Sequence, residues 1–218
     1  MSTVLALEIE TTPLDQVNVD VLVTPFFSCD RPLRGPAARA DWRLCGLLSE
    51  RLQGEQLTGA RGEAALIPTA GRMRTPLLLV MGLGPRSDFG EEALREVARS
   101  ATVRLLGLRS GIVGIALPGE LAPRLDTFHA AGVVLEGVAG ALSEHERPSA
   151  LRLRLVVPPE ESGRARSGLL EAASGLSTSK LAIRLGRSSD VSTRPRTTRA
   201  HQAGSPAGKP APRVDSHR

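Results

Sequence analysis

A glycine-rich turn after an apolar segment is the first candidate for ligand chemistry in this chain of 218 residues. Gly82-Leu83-Gly84 ends the apolar run, and a helix-like pattern begins a few residues later. Such a junction can present backbone amides to an anion, and the paired glycines suggest the start of a dinucleotide fingerprint. That fingerprint needs a third glycine at position 87, where the residue is Ser87. The spacing favours a plain strand-to-helix turn, and a weak anion site at Gly82, Gly84 and Ser87 is the alternative.

Nucleophilic chemistry has few candidates. Ser110 lies in a Gly-x-x-Ser-Gly segment, one residue out of register with the Gly-x-Ser-x-Gly nucleophile elbow, and is predicted to be a loop residue. Cys45 lies beside a leucine stripe and is interpreted as a small core residue, whereas Cys29 lies in a loop and is expected to be the more accessible thiol. Lys180 and Lys209 are the only lysines, and neither belongs to a Walker loop. We predict no catalytic residue.

Metal ligation also lacks a pattern. His129 stands alone on a predicted helix, and His145 lies between two glutamates at a solvated helix end. Neither an HxxxH nor an HExxH spacing occurs, and a metal site needs several converging ligands. We predict no metal and no cofactor.

Basic charge is concentrated at the C-terminus. The chain has 28 Lys+Arg and 23 Asp+Glu, and nine of the basic but only two of the acidic residues lie from Thr178 onward. Residues 187–218 lack apolar periodicity and are predicted to be a disordered basic tail after a folded domain over residues 1–186. The tail is interpreted as a solvated extension, with weak, sequence-independent phosphate contact as the alternative. Its basic residues include Arg194, Arg196, Arg199, Lys209, Arg213 and Arg218.

Other classes of protein are disfavoured by composition. Five aromatic residues and no tyrosine argue against a base-stacking surface. No apolar run approaches the 18 or more residues that a membrane span needs, and the N-terminus has no basic leader. We therefore expect a cytoplasmic protein with two reduced thiols and no membrane partner.

The elements that position these residues alternate between strand and helix. Apolar runs predict strands over residues 3–9, 20–26, 63–68, 76–81, 111–117, 151–155 and 181–185. Helical spacing predicts helices over residues 35–54, 88–107, 125–142 and 158–176. This alternation is typical of a single three-layer α/β domain with a mostly parallel, mixed sheet.

Three local patterns make sharper predictions. Residues 76–81 are apolar on both faces, which predicts a central strand covered by helices on both sides. Arg152 and Arg154 alternate with leucines, which predicts a strand with one wet face near a sheet edge. Asp88 and Glu91 have the spacing of a capping box at a helix start.

Several of these segments together resemble a known family. Residues 19–27 (VDVLVTPFF), Leu33-Arg34-Gly35-Pro36 entering a helix, and residues 77–84 (LLLVMGLG) entering another are similar to the N-terminal domain of leucyl (cytosol) aminopeptidases. The resemblance covers roughly residues 1–180 and implies a macro-domain-like α/β fold. In that family this domain is the non-catalytic part, implicated in hexamer packing and, in some bacterial members, in DNA binding. It precedes a larger catalytic domain that holds two metal ions.

The catalytic signature of that family is missing. It includes a lysine, several acidic metal ligands and an Asn-Thr-Asp segment, whereas Asn18 is the only asparagine here and Val19 follows it. The resemblance therefore implies a stand-alone, non-catalytic assembly, regulatory or binding module. Its expected partners are copies of itself or a separately encoded aminopeptidase. A split or truncated aminopeptidase gene product is one alternative.

A nucleotide-binding, macro-like domain is the other alternative. Macro domains that bind ADP-ribose place an asparagine-rich stretch after the strand that matches residues 20–23, and this chain has Thr24-Pro25-Phe26-Phe27 instead. Asp20 is compared with the macro-domain aspartate that contacts adenine. A pocket between the loop over residues 27–35 and the turn over residues 82–87 is predicted at the carboxyl ends of the strands. The candidate ligand-binding residues are Asp20, Ser28, Arg34, Gly35, Gly82, Gly84 and Ser87.

Overall fold

A seven-stranded sheet lies between two layers of helices. The computed structural model describes residues 3–118, 125–145, 150–177 and 181–186. The strands are β1 Thr3–Glu10, β2 Val21–Phe26, β3 Ala64–Pro68, β4 Leu77–Gly82, β5 Ile112–Ala116, β6 Ala150–Val156 and β7 Leu181–Leu185. The helices are α1 Gly35–Arg43, α2 Leu47–Gln53, α3 Glu91–Gly107, α4 Thr127–Glu144 and α5 Ser162–Leu176.

The strand order is β3-β4-β2-β5-β6-β1-β7. β3 runs antiparallel to β4, and every other neighbouring pair is parallel. Parallel neighbours require crossover connections, which the helices supply. The prediction of a three-layer α/β domain with a mostly parallel, mixed sheet is confirmed. The predicted tail over residues 187–218 lies outside the described residues.

The two faces of the sheet form separate cores. A larger apolar cluster fills the space between the sheet and α3, α4 and α5, and a smaller one lies between the sheet and α1 and α2. β4 contributes Leu79 and Met81 to the larger cluster and Leu78 and Val80 to the smaller one. A strand that is apolar on both faces is therefore buried on both, as its sequence predicted.

The predicted helix over residues 35–54 is two helices, so that prediction was wrong. α1 ends at Arg43, and α2 begins at Leu47. Between them, Cys45 has φ of 58° and Gly46 has φ of 83°, in the left-handed region that interrupts a helix. Cys45 is exposed at this break, so its interpretation as a core residue was also wrong. Cys29 is exposed, as expected, and both thiols are free.

β6 is an interior strand, so its prediction near a sheet edge was wrong. β5 and β1 flank it, and β7 lies beyond β1. Its alternating pattern arises because Leu151 and Leu153 lie beneath the larger helical layer, whereas Arg152 lies on the opposite face and is exposed. Alternating polar and apolar residues indicate that one face of a strand is not covered. Interior strands can have such a face, just as edge strands can.

The predicted capping box does not form. The N-cap of α3 is Gly90, with no side-chain hydrogen bond, and Asp88 belongs to a short 3-10 turn before it. Within the described ranges, none of the helices combines the length and the apolar character that crossing a bilayer requires.

Candidate ligand-binding cleft

Most of the predicted site residues lie at the carboxyl edge of the sheet. The backbone N–H of Ser28 donates to the carbonyl of Gly84 at 3.0 Å, so the loop after β2 and the turn after β4 do meet. Arg34 lines a gap of only about 10 Å³ beside Phe27 and Arg86. A gap of this size holds about one water molecule and no organic ligand.

The backbone amides of the glycine turn are already used by the fold. The N–H groups of Gly82, Leu83 and Gly84 donate to the carbonyls of Glu63, Phe26 and Gly59, each at 2.9 Å. A Cβ atom on Gly82 would lie 2.1 Å from the carbonyl oxygen of Ala60, so this glycine permits close backbone packing. Ser87 is exposed, and its hydroxyl donates to the carboxylate of Asp88. Ligand binding at this turn stays a prediction.

Asp20 lies at the opposite end of the strands, where β2 and β5 begin. Its Oδ2 atom accepts hydrogen bonds from the N–H groups of Gly111 and Ile112, both at 2.9 Å, where β5 begins. This aspartate joins the amino ends of β2 and β5, so the structure does not bring it together with Ser28, Gly82 or Gly84. A role for Asp20 in contacting the same ligand does not fit this placement.

A much larger cleft opens beside the predicted pocket. Its volume is about 710 Å³, and it lies where β1, β5 and β6 end and where α1 and α4 begin. Gly35 is the one residue of the predicted site that lines it. The apolar part of its wall is formed by Leu14, Ala116, Leu117, Leu125, Val156 and Val157.

Prolines shape the walls of the cleft. Pro118 and Pro158 follow β5 and β6, Pro13 lies after β1, and Pro36 occupies the first turn of α1. Proline fixes its own φ angle and has no N–H group, so these segments are stiff and present few donors. The result is a preformed, largely apolar cleft with polar groups restricted to a few positions.

The polar groups lie on two sides of the cleft. Asp126 and Thr127 lie where α4 begins, and Glu161 and Arg164 lie where α5 begins. Asp126 caps α4 by accepting from the N–H of His129 at 2.9 Å, and that backbone bond, with a second bond from the His129 ring, lowers the pKa of the carboxyl. Arg164 lies 4.0 Å from the Glu161 carboxylate.

One oxygen of Glu161 has no hydrogen-bond donor. Its Oε2 atom is buried and accepts no hydrogen bond from the protein; the Nη1 atom of Arg164, at 4.0 Å, contacts this same oxygen only as a long ion pair. A buried, unsatisfied carboxylate oxygen is costly, and native structures leave few such atoms. The atom is therefore a ready acceptor for a donor group that enters the cleft.

Arg39 is held at the opposite wall by two neighbours. Its Nε atom donates to Asp15 at 2.9 Å, and its guanidinium lies 5.3 Å from the ring centre of Trp42. Arg43 also pairs with Asp15. Burial alone would raise the pKa of the Asp15 carboxyl, but the hydrogen bonds from the two arginines outweigh burial and hold it below its ordinary value.

Sequence patterns did not reveal this cleft because its lining comes from five separate segments of the chain. The available signals were prolines at or shortly after the ends of predicted strands, as at Pro118 and Pro158. Choosing among them requires the strand order, which places the ends of β1, β5 and β6 side by side. Within the described part of the chain, no group of three or more His, Cys, Asp or Glu side chains is arranged to hold a metal ion.

Known proteins share both the sequence and the fold. The N-terminal domain of the cytosol aminopeptidase family matches residues 24–144. A probable cytosol aminopeptidase of Thermosynechococcus vestitus is 31% identical over 145 residues, which are 65% of this chain and 29% of that protein. The matched part of this chain therefore spans less than a third of the length of that relative.

Solved structures show the same architecture. A mutant of tomato leucine aminopeptidase superposes with a TM-score of 0.63 at 17% identity, covering 79% of this chain and 36% of that one. The Trypanosoma brucei macrodomain, solved in complex with ADP-ribose, superposes with a TM-score of 0.58 at 17% identity, covering 74% and 67%. At these identities the likeness establishes a macrodomain-like fold. Because the family match spans more than half of the chain, the protein belongs to the cytosol aminopeptidase family, with the fold of its N-terminal domain.

Proposed function

We propose that this domain is a non-catalytic binding module of the aminopeptidase family and that its cleft holds a nucleotide-like ligand. The observation that carries the proposal is the cleft of about 710 Å³ at the carboxyl ends of β1, β5 and β6. Open α/β sheets bind ligands at this edge, and the volume lies in the range of small-molecule sites. Assembly with a second copy or with a separately encoded aminopeptidase stays a prediction.

The composition of the wall favours a ligand with two chemical parts. Apolar side chains such as Leu117 and Val157 suit a flat ring, since they offer contact without hydrogen bonds. Arg39 and Arg164, with the first turn of α1, suit an anionic group such as a phosphate. A nucleotide combines both parts in one molecule.

Glu161 adds a requirement for a donor. Its buried Oε2 atom needs a hydroxyl or amino group from the ligand, and the ribose hydroxyls and exocyclic amino groups of nucleotides supply such donors. Inorganic phosphate also carries an O–H donor near neutral pH, but its net negative charge is repelled by the carboxylate, whereas the hydroxyl and amino groups of a nucleotide are neutral. This feature favours a nucleotide over phosphate alone.

ADP-ribose is the first probe to test, because the macrodomain of Trypanosoma brucei shares this fold and holds that ligand. Isothermal titration calorimetry of the full chain with ADP-ribose, ADP and adenosine separates the affinity due to the phosphates from the affinity due to the nucleoside. We expect ADP-ribose and ADP to bind more tightly than adenosine. Arg164→Glu should weaken ADP binding by about tenfold or more, because it places a second carboxylate beside Glu161.

Arg72→Glu is the matched control, since it changes the net charge equally. Arg72 is exposed in the hairpin between β3 and β4. This hairpin leads into the amino end of β4, whereas the cleft lies at the carboxyl ends of β1, β5 and β6. We expect this variant to bind ADP like the unmodified chain. Absence of heat with all three compounds would refute nucleotide binding. Hydrolysis of a leucyl substrate by the purified chain with added metal ions would refute the non-catalytic part.

A further inference from the structure

Among the described residues, no helix covers one face of the sheet half formed by β6, β1 and β7. On β1, Leu5, Leu7 and Ile9 belong to the larger core, whereas Val4 and Ala6 point to the other side and are half-buried. The smaller core beneath α1 and α2 includes no side chain from β1 or β7 among the described residues. We call this surface the open face. Its residues are Val4, Ala6, Glu8, Ala150, Arg152, Arg154, Ala182 and Arg184.

The strand register gives the open face a defined layout. Ala6 is the register partner of Arg152 on β6 and of Arg184 on β7, so it lies between two arginines. Since neighbouring strands lie about 4.8 Å apart, the two arginine backbones are about 10 Å apart. In the next row, Val4 lies between Ala150 and Ala182. The floor is therefore made of small apolar side chains.

The two flanking arginines carry uncompensated charge. Arg152 and Arg184 are exposed, and neither lies within ion-pair distance of a carboxylate in the described ranges. Arg154 differs, because it pairs with Glu8 at 3.1 Å and with Glu10 at 3.2 Å. The open face consequently presents two positive charges on either side of a flat, small-residue strip.

We propose that the open face docks an α-helix of a partner protein that has small residues on its contact side and acidic residues on both flanks. A helix is about 10–12 Å across, which matches the spacing of the two arginines. Alanine on the floor lets the helix backbone approach closely, and carboxylates on each flank meet Arg152 and Arg184.

Charge disfavours the two occupants that the chain itself could supply. In a symmetric dimer through the open face, Arg152 and Arg184 of one copy would face those of the other, and like charges repel. The segment from Thr178 onward has nine basic and two acidic residues, so it lacks the negative charge that the face requires. An acidic helix of a different protein satisfies both the shape and the charge.

Two designed helical peptides test the proposal. Both have an alanine stripe, and the flanks carry glutamates in one and lysines in the other. Fluorescence anisotropy with the full chain at low salt should show binding of the glutamate peptide and weaker or no binding of the lysine peptide. The double variant Arg152→Glu/Arg184→Glu should weaken glutamate-peptide binding by about tenfold or more and strengthen lysine-peptide binding.

Arg72→Glu/Arg74→Glu is the matched control, because it changes the net charge equally at exposed sites in the hairpin between β3 and β4, on the far side of the sheet from β7. It should bind the glutamate peptide like the unmodified chain. The proposal is overturned if both double variants weaken binding equally, or if both peptides bind the unmodified chain alike. It is also overturned if the binding of duplex DNA depends on Arg152 and Arg184 and the binding of the peptide does not. The proposal is overturned as well if the unmodified chain forms a dimer that the Arg152→Glu/Arg184→Glu variant dissociates and the control variant does not.

Discussion

The two helical layers of this domain differ in extent, and both candidate binding surfaces lie beside the smaller layer. On one side of the sheet, α3, α4 and α5 have 17, 18 and 15 residues, and together they underlie six strands. On the other side, α1 and α2 have only 9 and 7 residues. The smaller core beneath these helices takes side chains from β2, β3, β4, β5 and β6 and, among the described residues, none from β1 or β7. The cleft and the open face both lie where the short layer ends.

The layers are also held by different interactions. At the crossing of α3 and α4, Gly137 lets the helix backbones come close, and Ala98 packs against it. The short layer has its own apolar core, and in addition buried Asp15 binds Arg39 and Arg43 of α1. The buried carboxylate of the short layer and the close glycine contact of the long layer should respond differently to substitution and to pH.

The largest expected effect separates the two faces of one strand. Leu153→Ala removes a side chain of β6 that is 1% exposed beneath the long layer, and we expect a loss of about 2–5 kcal/mol in the free energy of unfolding. Arg152→Ala, the adjacent residue on the open face, should change it by no more than about 0.5 kcal/mol. Urea denaturation of the two variants measures the difference. Equal losses of unfolding free energy in the two variants would mean that the open face is covered.

A smaller effect tests the close helix crossing. A Cβ atom at Gly137 would lie 2.4 Å from the carbonyl oxygen of Arg95, so Gly137→Ala should force α3 and α4 apart and cost about 1–3 kcal/mol. Gly140→Ala is the control on the same helix, because no atom lies within 4 Å of the added Cβ. It should stabilise the protein by about 0.5–1 kcal/mol. Thermal unfolding distinguishes them, and a stabilised Gly137→Ala would contradict the packing described.

The smallest effect tests the ion pairs of the short layer. We expect Asp15→Asn to lower the free energy of unfolding at pH 7 by about 1–2 kcal/mol, a modest value because both arginines reach solvent. The folded-state pKa of Asp15 lies below its ordinary value, so the unfolded chain binds more protons in that acidic range. The stabilisation is present above the unfolded-state pKa, near 3.9, and is lost as pH falls through the folded-state value.

Urea denaturation at pH 7 and under strongly acidic conditions tests this pH dependence. The difference between Asp15→Asn and the unmodified chain should shrink toward zero as the Asp15 carboxyl becomes protonated. Asp126→Asn provides a comparison, because the pKa of Asp126 is also lowered but its side chain is 52% exposed. A difference for Asp15→Asn that stays constant across this pH range would contradict a role for its charge.

Local patterns predicted the elements well where one physical cause produced the pattern. β4 is apolar on both faces because it is buried on both, and the strand predicted over 181–185 is β7. The mistakes occurred where two arrangements give the same pattern. An alternating strand fits a sheet edge or an interior strand with one open face, and β6 is the second. A leucine stripe fits one helix or two, and Gly46 divides α1 from α2.

Local periodicity and short motifs were enough to predict the alternation of strands and helices and the resemblance to the aminopeptidase N-terminal domain. They could not predict that β1, β5 and β6 end side by side around a cleft or that Arg152 and Arg184 flank Ala6, which depend on the strand order. Residues such as Thr12, Ala116 and Glu161 are far apart along the chain, and long-range strand pairing brings them together. That pairing depends on how whole elements pack, a property that no single segment of sequence contains.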